Sequence, residues 1–406
     1  MKFAHMADVH IGAWREPKLS ELNAQAFVKA VDLCIEEKVD FILICGDLFN
    51  TSLPPIEKLK IAVIKLRQLK DEGIPVYAIP GSHDFSPSGK TMLDVLEGAG
   101  LCINTAKGRV VSDKLSLRFT IDKKTGAKIT GIIGRKGMLE VAYLEQMDRT
   151  ALEKESGFKI FMFHTAITEL KPKEMENMQS LPASLLPKGF DYYAGGHVHI
   201  TKHESIEGYR NIVYPGPLFP NTFKEMEDYN DCGFYIFQDG EISKREIRVV
   251  NVSSIHIDCN RKSPEEIESV TQSLKGKEFY NTIVTLRFTG VLKSGKISDI
   301  NFGKIMEAFY ERGAVFVMKN TGGLLTKDFE DIKTESSENI AELEARLVRE
   351  HLGQLKLNGV SLEQEEALIK SLLSISAAER QEGEKLYDFH ARVCKDIDLV
   401  LEPILK

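Results

Sequence analysis

The sequence predicts a layered α/β core, then a small α/β unit, and then C-terminal helices. Three observations support this fold class. Up to about residue 250, short apolar runs alternate with segments of helical period, which is typical of stacked β-α units. A shorter β-α-β-α-β pattern begins at residue 251, and helical patterns follow from residue 337. At 406 residues, the chain also exceeds the size of one ordinary hydrophobic core.

The first segment, residues 1–250, begins with three predicted strands separated by two helices. The strands are "KFAHMADVH", "DFILICGD" and "PVYAIPGSHD", and the helices are "AQAFVKAVDLCIEEK" and "IEKLKIAVIKLRQLKDEG". After Gly98 the pattern changes to strands and hairpins, among them "KIFMFH" and "FDYYAGGHVH". We therefore expect an α/β core with a large sheet content.

The second segment, residues 251–320, predicts a small separate module. Its strands are "SSIHID", "TIVTLRF" and "AVFVMK", and its first helix begins with Ser263 as N-cap and Glu266 closing a capping box. Residues 321–336 are polar and contain glycine, so they predict a linker.

The last segment, residues 337–406, predicts two or three amphipathic helices. "ENIAELEARLVREHLGQL" has one apolar stripe, Ser361 and Gln364 form a capping box, and "EKLYDFHARVCKDIDLVLEPILK" has near-heptad apolar spacing. Such faces must pack on something. They either fold back on the body of the protein or dock on a partner, and both interpretations remain open at this stage.

Composition limits the classes of protein that fit. No apolar run approaches the roughly 20 residues of a membrane helix, and the N-terminus lacks a signal-peptide pattern. The six cysteines form no C-x-x-C pair, which argues against a zinc ribbon and against a secreted disulfide framework. A reducing cytoplasm fits best. The formal net charge of −7 predicts no general affinity for nucleic acid, so any DNA binding must be local.

Residues of the types that ligate metals in proteins lie at or just after the ends of five predicted strands. They are Asp8, His10, Asp47, His83, Asp84, His164, His197 and His199. Ligands in α/β sheets gather beyond the carboxyl ends of strands, so these groups can converge in one crevice. Alternation along a strand would place Asp8 and His10 on one side, and His197 and His199 can join them if the strand tip curls.

This ligand set predicts a two-metal centre. Imidazole with carboxylate suits manganese, iron or zinc, whereas magnesium prefers oxygen donors alone. The set exceeds the needs of one ion, and Asp47, preceded by the flexible Gly46, is the natural bridge between two. Paired metals clamp the attacking and leaving oxygens of a displacement at phosphorus. The expected reaction is phosphoester hydrolysis.

The ordered series D-x-H, G-D, G-x-H-D, H and G-H-x-H, spanning residues 8–199, is similar to the calcineurin-like metallophosphoesterase superfamily. Within it, "MADVHIG", "ILICGDLFN" and "YPGP" resemble the double-strand-break repair nuclease of the SbcD and meiotic-recombination-eleven type. The resemblance implies a metallophosphoesterase core of two sheets flanked by helices, a small α/β capping domain and C-terminal helices that bind a coiled-coil ABC-type ATPase of the SbcC type. It also implies a manganese-dependent DNA nuclease that forms a homodimer through helices of its first domain.

The resemblance also implies a role for each site residue. One manganese ion would be held by Asp8, His10, Asp47 and His199. The second would be held by Asp47, Ser82, His164 and His197. His83 would be the general acid for the leaving oxygen, and Asp84 would orient its ring. Magnesium is the alternative ion.

The sequence departs from the family pattern at two site positions. Ser82 replaces an asparagine that ligates the second metal, and Asn50 replaces a histidine that often helps to position phosphate. A serine hydroxyl could bind through water, leave a coordination position open or weaken the second site. Two other interpretations therefore stay open: a phosphodiesterase or phosphatase for small substrates, and a scaffold that tethers DNA ends with a weakened metal site.

Overall fold

The computed structural model describes residues 1–85, 90–135, 137, 139–229, 232–269, 277–326, 348–349, 352, 360–378 and 386–405. The chain divides into two compact units, Met1–Ser253 with Asn281–Ile283, and Ser254–Tyr280 with Val284–Lys406. Within the described ranges, every helix is too short or too polar to cross a membrane.

Two six-stranded sheets form the centre of the first unit. The first contains, in spatial order, β14 (Glu241–Glu246), β13 (Gly233–Gln238), β1 (Lys2–Met6), β2 (Phe41–Cys45), β3 (Val76–Ile79) and β4 (Ile103–Asn104). The second contains β11 (Lys202–Ile206), β12 (Tyr209–Tyr214), β10 (Tyr192–Gly196), β9 (Lys159–His164), β8 (Lys128–Gly131) and β7 (Thr120–Ile121). A separate hairpin pairs β5 (Gly108–Val111) with β6 (Lys114–Leu117).

The two sheets share one apolar core. Phe3 of β1 stacks on Phe41 of β2 and meets Tyr192 of β10 edge to face, with ring centroids 4.9 and 5.1 Å apart. The helices of this unit are α1 (Pro17–Glu36), α2 (Ile56–Asp71), α3 (Met92–Gly98), α4 (Glu140–Glu145), α5 (Arg149–Lys154) and α6 (Phe223–Glu227). The α/β fold with two large sheets is confirmed. Helix α1 begins seven residues earlier than predicted, at Pro17, whose fixed φ suits a first helical turn.

The topology brings five strand ends together. Strands β1, β2 and β3 are parallel, as are β9 and β10, so the loops that follow within each sheet leave from one edge. Strand β1 ends at Met6, not at His10 as predicted, because the backbone leaves the extended conformation at Asp8. Asp8 and His10 therefore belong to a loop.

The second unit contains the predicted small α/β module. Its three-stranded sheet has the order β15 (Asn251–Asp258), β16 (Thr282–Val291) and β17 (Phe316–Leu325), with α7 (Pro264–Glu268) and α8 (Phe302–Tyr310) as the intervening helices. The linker was predicted to begin at residue 321, but β17 continues to Leu325 because Leu324 is buried in the module's core. Residues 327–336 of that predicted linker lie outside the described residues.

Two helices near the C-terminus pack against each other. They are α9 (Leu362–Ser376), which begins with the predicted capping box of Ser361 and Gln364, and α10 (Leu386–Leu405). Leu373 and Leu399 remain exposed on this pair. The preceding predicted helix, residues 338–355, falls almost wholly outside the described residues.

Candidate metal centre

Five of the predicted site residues have a left-handed backbone. The φ angles are 52° at Asp8, 48° at His10, 52° at Asp47, 93° at His197 and 52° at His199. Side chains other than glycine rarely adopt this region, and each instance costs about 1–3 kcal/mol. Strand alternation was therefore the wrong reason for the convergence of Asp8 and His10, whereas the curled backbone at His197 and His199 agrees with the curled strand tip that was expected there. The side chains converge because the loops curl, and such strain persists only where the surroundings enforce it.

Hydrogen bonds between loops hold this backbone in place. The Asp8 N–H donates to the Gly46 carbonyl at 3.2 Å, and the His10 N–H donates to the Asp47 carbonyl at 2.9 Å. Both carboxylate oxygens of Asp8 accept from the His197 N–H, at 3.0 and 2.9 Å. The loops after β1, β2 and β10 are thereby joined.

Six side chains form three overlapping groups of metal-type ligands. Within each group, the ligand atoms lie within 4.8 Å of one another. The groups are Asp8 with His10 and His199, His10 with Asp47 and His83, and Asp8 with Asp47 and His164. Nε2 of His10 lies 3.1 Å from Nε2 of His199 and 3.7 Å from Oδ2 of Asp47. Each of Asp8, His10 and Asp47 belongs to two groups, which fits shared coordination.

Unsatisfied buried atoms in this cluster point to a cation. Nε2 of His164 lies 3.1 Å from Oδ2 of Asp47 but not in hydrogen-bonding geometry, and it has no hydrogen-bond partner among the described residues. Leaving such an atom unpaired costs about 1–3 kcal/mol. The other ring nitrogen, Nδ1, lies 2.8 Å from the Cys45 carbonyl and donates to it, which leaves the Nε2 lone pair free for a metal. These residues fit a pair of divalent ions.

The electrostatics favour the ligand forms of His10 and Asp47. Burial would lower the pKa of His164, but the neighbouring carboxylates of Asp47 and Asp8 raise it to about 10. Burial lowers the pKa of His10 to about 3, so its imidazole is neutral. Burial alone would raise the pKa of Asp47, but nearby His164 and His10 bring this pKa below the usual range. Neutral imidazole and ionised carboxylate are the forms that bind metals.

His83 lies at the edge of the cluster, and its ring is oriented differently from the prediction. Its Nδ1 lies 2.8 Å from the backbone carbonyl of Asn50. Asp84, predicted to orient this ring, instead accepts from the N–H groups of Phe49 and Gly81, at 3.2 and 2.9 Å. Asp84 is fully buried and turns towards these backbone donors. Its burial, with the nearby charge of Asp47, raises its pKa to about 7.

Ser82 and His197 border the cluster without joining its three groups. The Ser82 hydroxyl donates to Oδ2 of Asp47 at 3.4 Å. The ring centroids of His197 and His164 lie 5.1 Å apart. Ser82 and His197 line a cavity of about 340 Å³ together with His83 and Arg135. The cavity therefore borders the cluster on the side of Ser82 and His197.

Two glycines leave room for the imidazole ring of His164. A Cβ on Gly46, where φ is +85°, or on Gly196 would overlap the imidazole. The Cβ of an alanine at Gly196 would also overlap the Cys45 carbonyl that fixes the His164 tautomer. This explains the glycine immediately before His197 in "GGHVH".

We expect Gly196→Ala to lower the free energy of unfolding by about 1–3 kcal/mol, as overpacking does, and to weaken metal binding. Thermal unfolding and manganese titration would measure both effects. Gly98→Ala is the matched control, because a Cβ there meets nothing within 4 Å. Equal behaviour of the two variants would contradict the packing argument.

Two residues of the centre were missed by sequence reasoning. Nδ1 of His199 lies 3.2 Å from Oε1 of Glu225, and the only sequence signal was an N-cap, Thr222, three residues earlier. Asn23 of α1 accepts from the Gly12 N–H at 3.2 Å and donates to the Val9 carbonyl at 3.0 Å. No local sequence pattern predicts that Asn23 supports the loop after β1.

The sequence of this chain is similar to those of known proteins. Residues 1–201 match the sequence profile of the calcineurin-like phosphoesterase family. Two similar proteins both carry the name "DNA double-strand break repair protein Mre11". The one from Archaeoglobus fulgidus is 27% identical over 94% of this chain and 87% of its own length. The one from Methanococcus maripaludis is 26% identical over 70% of this chain and 78% of its own length.

Proposed function

Because this chain belongs to the calcineurin-like phosphoesterase family, we propose that it is a manganese-dependent nuclease that hydrolyses DNA phosphodiesters at double-strand breaks. The observation that carries the proposal is the set of three overlapping ligand groups at the strand ends. The names of its relatives, which refer to DNA double-strand-break repair, support DNA as the substrate. We place the activity in the cytoplasm, whose reducing conditions fit six cysteines without a C-x-x-C pair.

Each ion is assigned to one set of ligands. The first set is Asp8, His10, Asp47 and His199, and the second is Asp47, Ser82, His164 and His197. Asp47 is shared because its Oδ2 lies 3.7 Å from Nε2 of His10 and 3.1 Å from Nε2 of His164. When bound, two divalent ions supply Lewis-acid activation of water and neutralise charge on the phosphate.

His83 is the proposed general acid. The Asn50 carbonyl accepts only from a protonated Nδ1, so it fixes the tautomer and leaves Nε2 for proton exchange with the leaving oxygen. Asn50 thus contributes through its backbone, and a contact of its side chain with phosphate remains a prediction. Asp84 supports this loop through Phe49 and Gly81.

The first test is degradation of end-labelled linear duplex DNA in the presence of manganese, with a chelator as control. We expect cutting that manganese restores after chelation. Hydrolysis of a chromogenic phosphodiester without any cutting of DNA would instead favour a phosphodiesterase for small substrates. Parallel reactions with magnesium and zinc would identify the working ion.

Ser82→Asn is expected to strengthen binding of the second ion by about tenfold or less, because an amide carbonyl reaches further than a serine hydroxyl and is a better neutral donor. Manganese titration and DNA cutting would measure the effect. If the wild-type chain does not cut DNA and this variant does, the wild-type chain is a scaffold with a weakened second site. Weaker manganese binding in the variant would contradict the assignment of Ser82 as a ligand.

The proposed ATPase partner would dock on the C-terminal helices. Leu373 of α9 and Leu399 of α10 are exposed apolar side chains that such a partner could cover. A partner that grips DNA would also account for a nuclease with net charge −7. Deleting residues 337–406 should abolish association with a coiled-coil ABC-type ATPase and spare manganese binding. Loss of both would mean that these helices belong to the core.

The proposed homodimer would use helices of the first unit. Ile56 and Ile64 of α2 and Val95 of α3 are exposed, at 83%, 53% and 60%. Unpaired apolar side chains on helices are typical of subunit contacts. Light scattering at micromolar concentration is expected to give twice the chain mass of 45.6 kDa, and a monomer would count against the proposal.

A further inference from the structure

We propose that Glu225 is a positioning residue that fixes the ring of His199 for metal binding. The inference rests on the proposed function, in which His199 is a ligand of the first ion. It adds a carboxylate that no metal motif in the sequence includes and that does not itself belong to the three ligand groups.

The Glu225 carboxylate is held by several donors. Its Oε1 lies 3.2 Å from Nδ1 of His199 and also accepts from the Thr222 hydroxyl at 3.1 Å. Its Oε2 accepts from the Asn221 N–H at 2.9 Å. In return, the Thr222 hydroxyl oxygen accepts from the Glu225 N–H at 3.1 Å. The carboxylate is therefore fixed before any ion binds.

The direction of the bond to His199 determines which ring nitrogen is free. An ionised carboxylate only accepts hydrogen bonds, so Nδ1 of His199 must carry the proton. The lone pair is then on Nε2, the atom that lies 3.1 Å from Nε2 of His10 and 3.8 Å from Oδ1 of Asp8. A carboxylate behind a ligating histidine typically contributes about 10- to 100-fold in metal affinity.

The backbone conformation of His199 gives a second reason for a supporting contact from Glu225. Its φ of 52° is costly for a non-glycine residue and needs support from its surroundings. The Glu225 contact ties the His199 ring to α6 and to the loop before it. Without this contact, the ring would lose both its tautomer preference and its position.

The competing explanation is purely structural: Glu225 would cap the start of the short helix α6. The two explanations differ in what each variant changes. A capping role affects folding stability and acts independently of His199. A positioning role affects the affinity of one ion and acts only through His199.

Manganese titration calorimetry on the full chain tests the proposal. We expect two ions in the wild type, and a loss of about 10- to 100-fold at one site in Glu225→Ala with the other site retained. Glu225→Gln keeps an oxygen acceptor, so its loss should be smaller. Asp228→Asn is the matched control, because Asp228 is an exposed carboxylate at the end of the same helix. Its two affinities should equal those of the wild type.

A double-mutant cycle with His199→Gln separates positioning from capping. In that background, Glu225→Ala should lower manganese affinity no further. An undiminished additional loss would overturn the proposal, as would a lower melting temperature of the metal-free protein with unchanged manganese affinity. Failure of the wild type to bind two ions would be a different result, because it would remove the proposed function itself. If Glu225→Ala does not fold, the same double-mutant cycle is measured with Glu225→Gln in place of Glu225→Ala.

Discussion

Replacing Asp47 by alanine is expected to slow DNA hydrolysis by at least about 10³-fold. Asp47 is the carboxylate between the two ligand sets, with Oδ2 close to both His10 and His164. In the proposed assignment, its loss would remove an anionic ligand from both ions, and metal catalysis contributes several kcal/mol, of which about 4 kcal/mol corresponds to 10³-fold in rate. Calorimetry should show fewer than two bound manganese ions.

The control for this experiment is a buried carboxylate away from the centre. Asp122 is buried and accepts from the Tyr77 hydroxyl at 2.9 Å, so Asp122→Asn perturbs a buried hydrogen bond without touching a ligand. It should lower stability and leave manganese stoichiometry unchanged. Asp47→Ala that still binds two ions and cuts DNA at the wild-type rate would refute the bridging role.

His83→Gln is expected to lower kcat on DNA by about 10²- to 10⁴-fold, the usual contribution of a general acid. Manganese affinity should stay the same, because the proposed ligand sets do not include His83. The variant keeps a polar side chain of similar length at the edge of the cluster. Single-turnover cutting and manganese titration would measure the two effects separately.

A change of leaving group tests the acid role directly. A nitrophenolate leaves without protonation, so the loss in His83→Gln should shrink markedly on a nitrophenyl phosphodiester. An equal loss on both substrates would show that His83 does not protonate the leaving group. Loss of a bound ion would instead make His83 a ligand, a role that its grouping with His10 and Asp47 would explain.

Much of the fold followed from local patterns. Apolar runs between helical segments predicted β1 to β3 and the helices between them, and α2 begins at the predicted Ile56. Errors arose where tertiary burial outweighed local composition. The glycine-containing stretch after residue 320 was read as a linker, yet Leu324 is buried and keeps the chain in β17.

The sequence by itself determined the fold class and identified the residues that gather at the centre, because ligand-type side chains recur directly after parallel strands whose ends share an edge. Only the tertiary structure determined the backbone conformation and the hydrogen-bond partners of these residues. The left-handed turns at Asp8 and His199, the Asn50 carbonyl behind His83 and the Glu225 carboxylate behind His199 all depend on neighbouring loops. Such contacts join residues far apart along the chain, and their geometry depends on side-chain directions that no local pattern encodes.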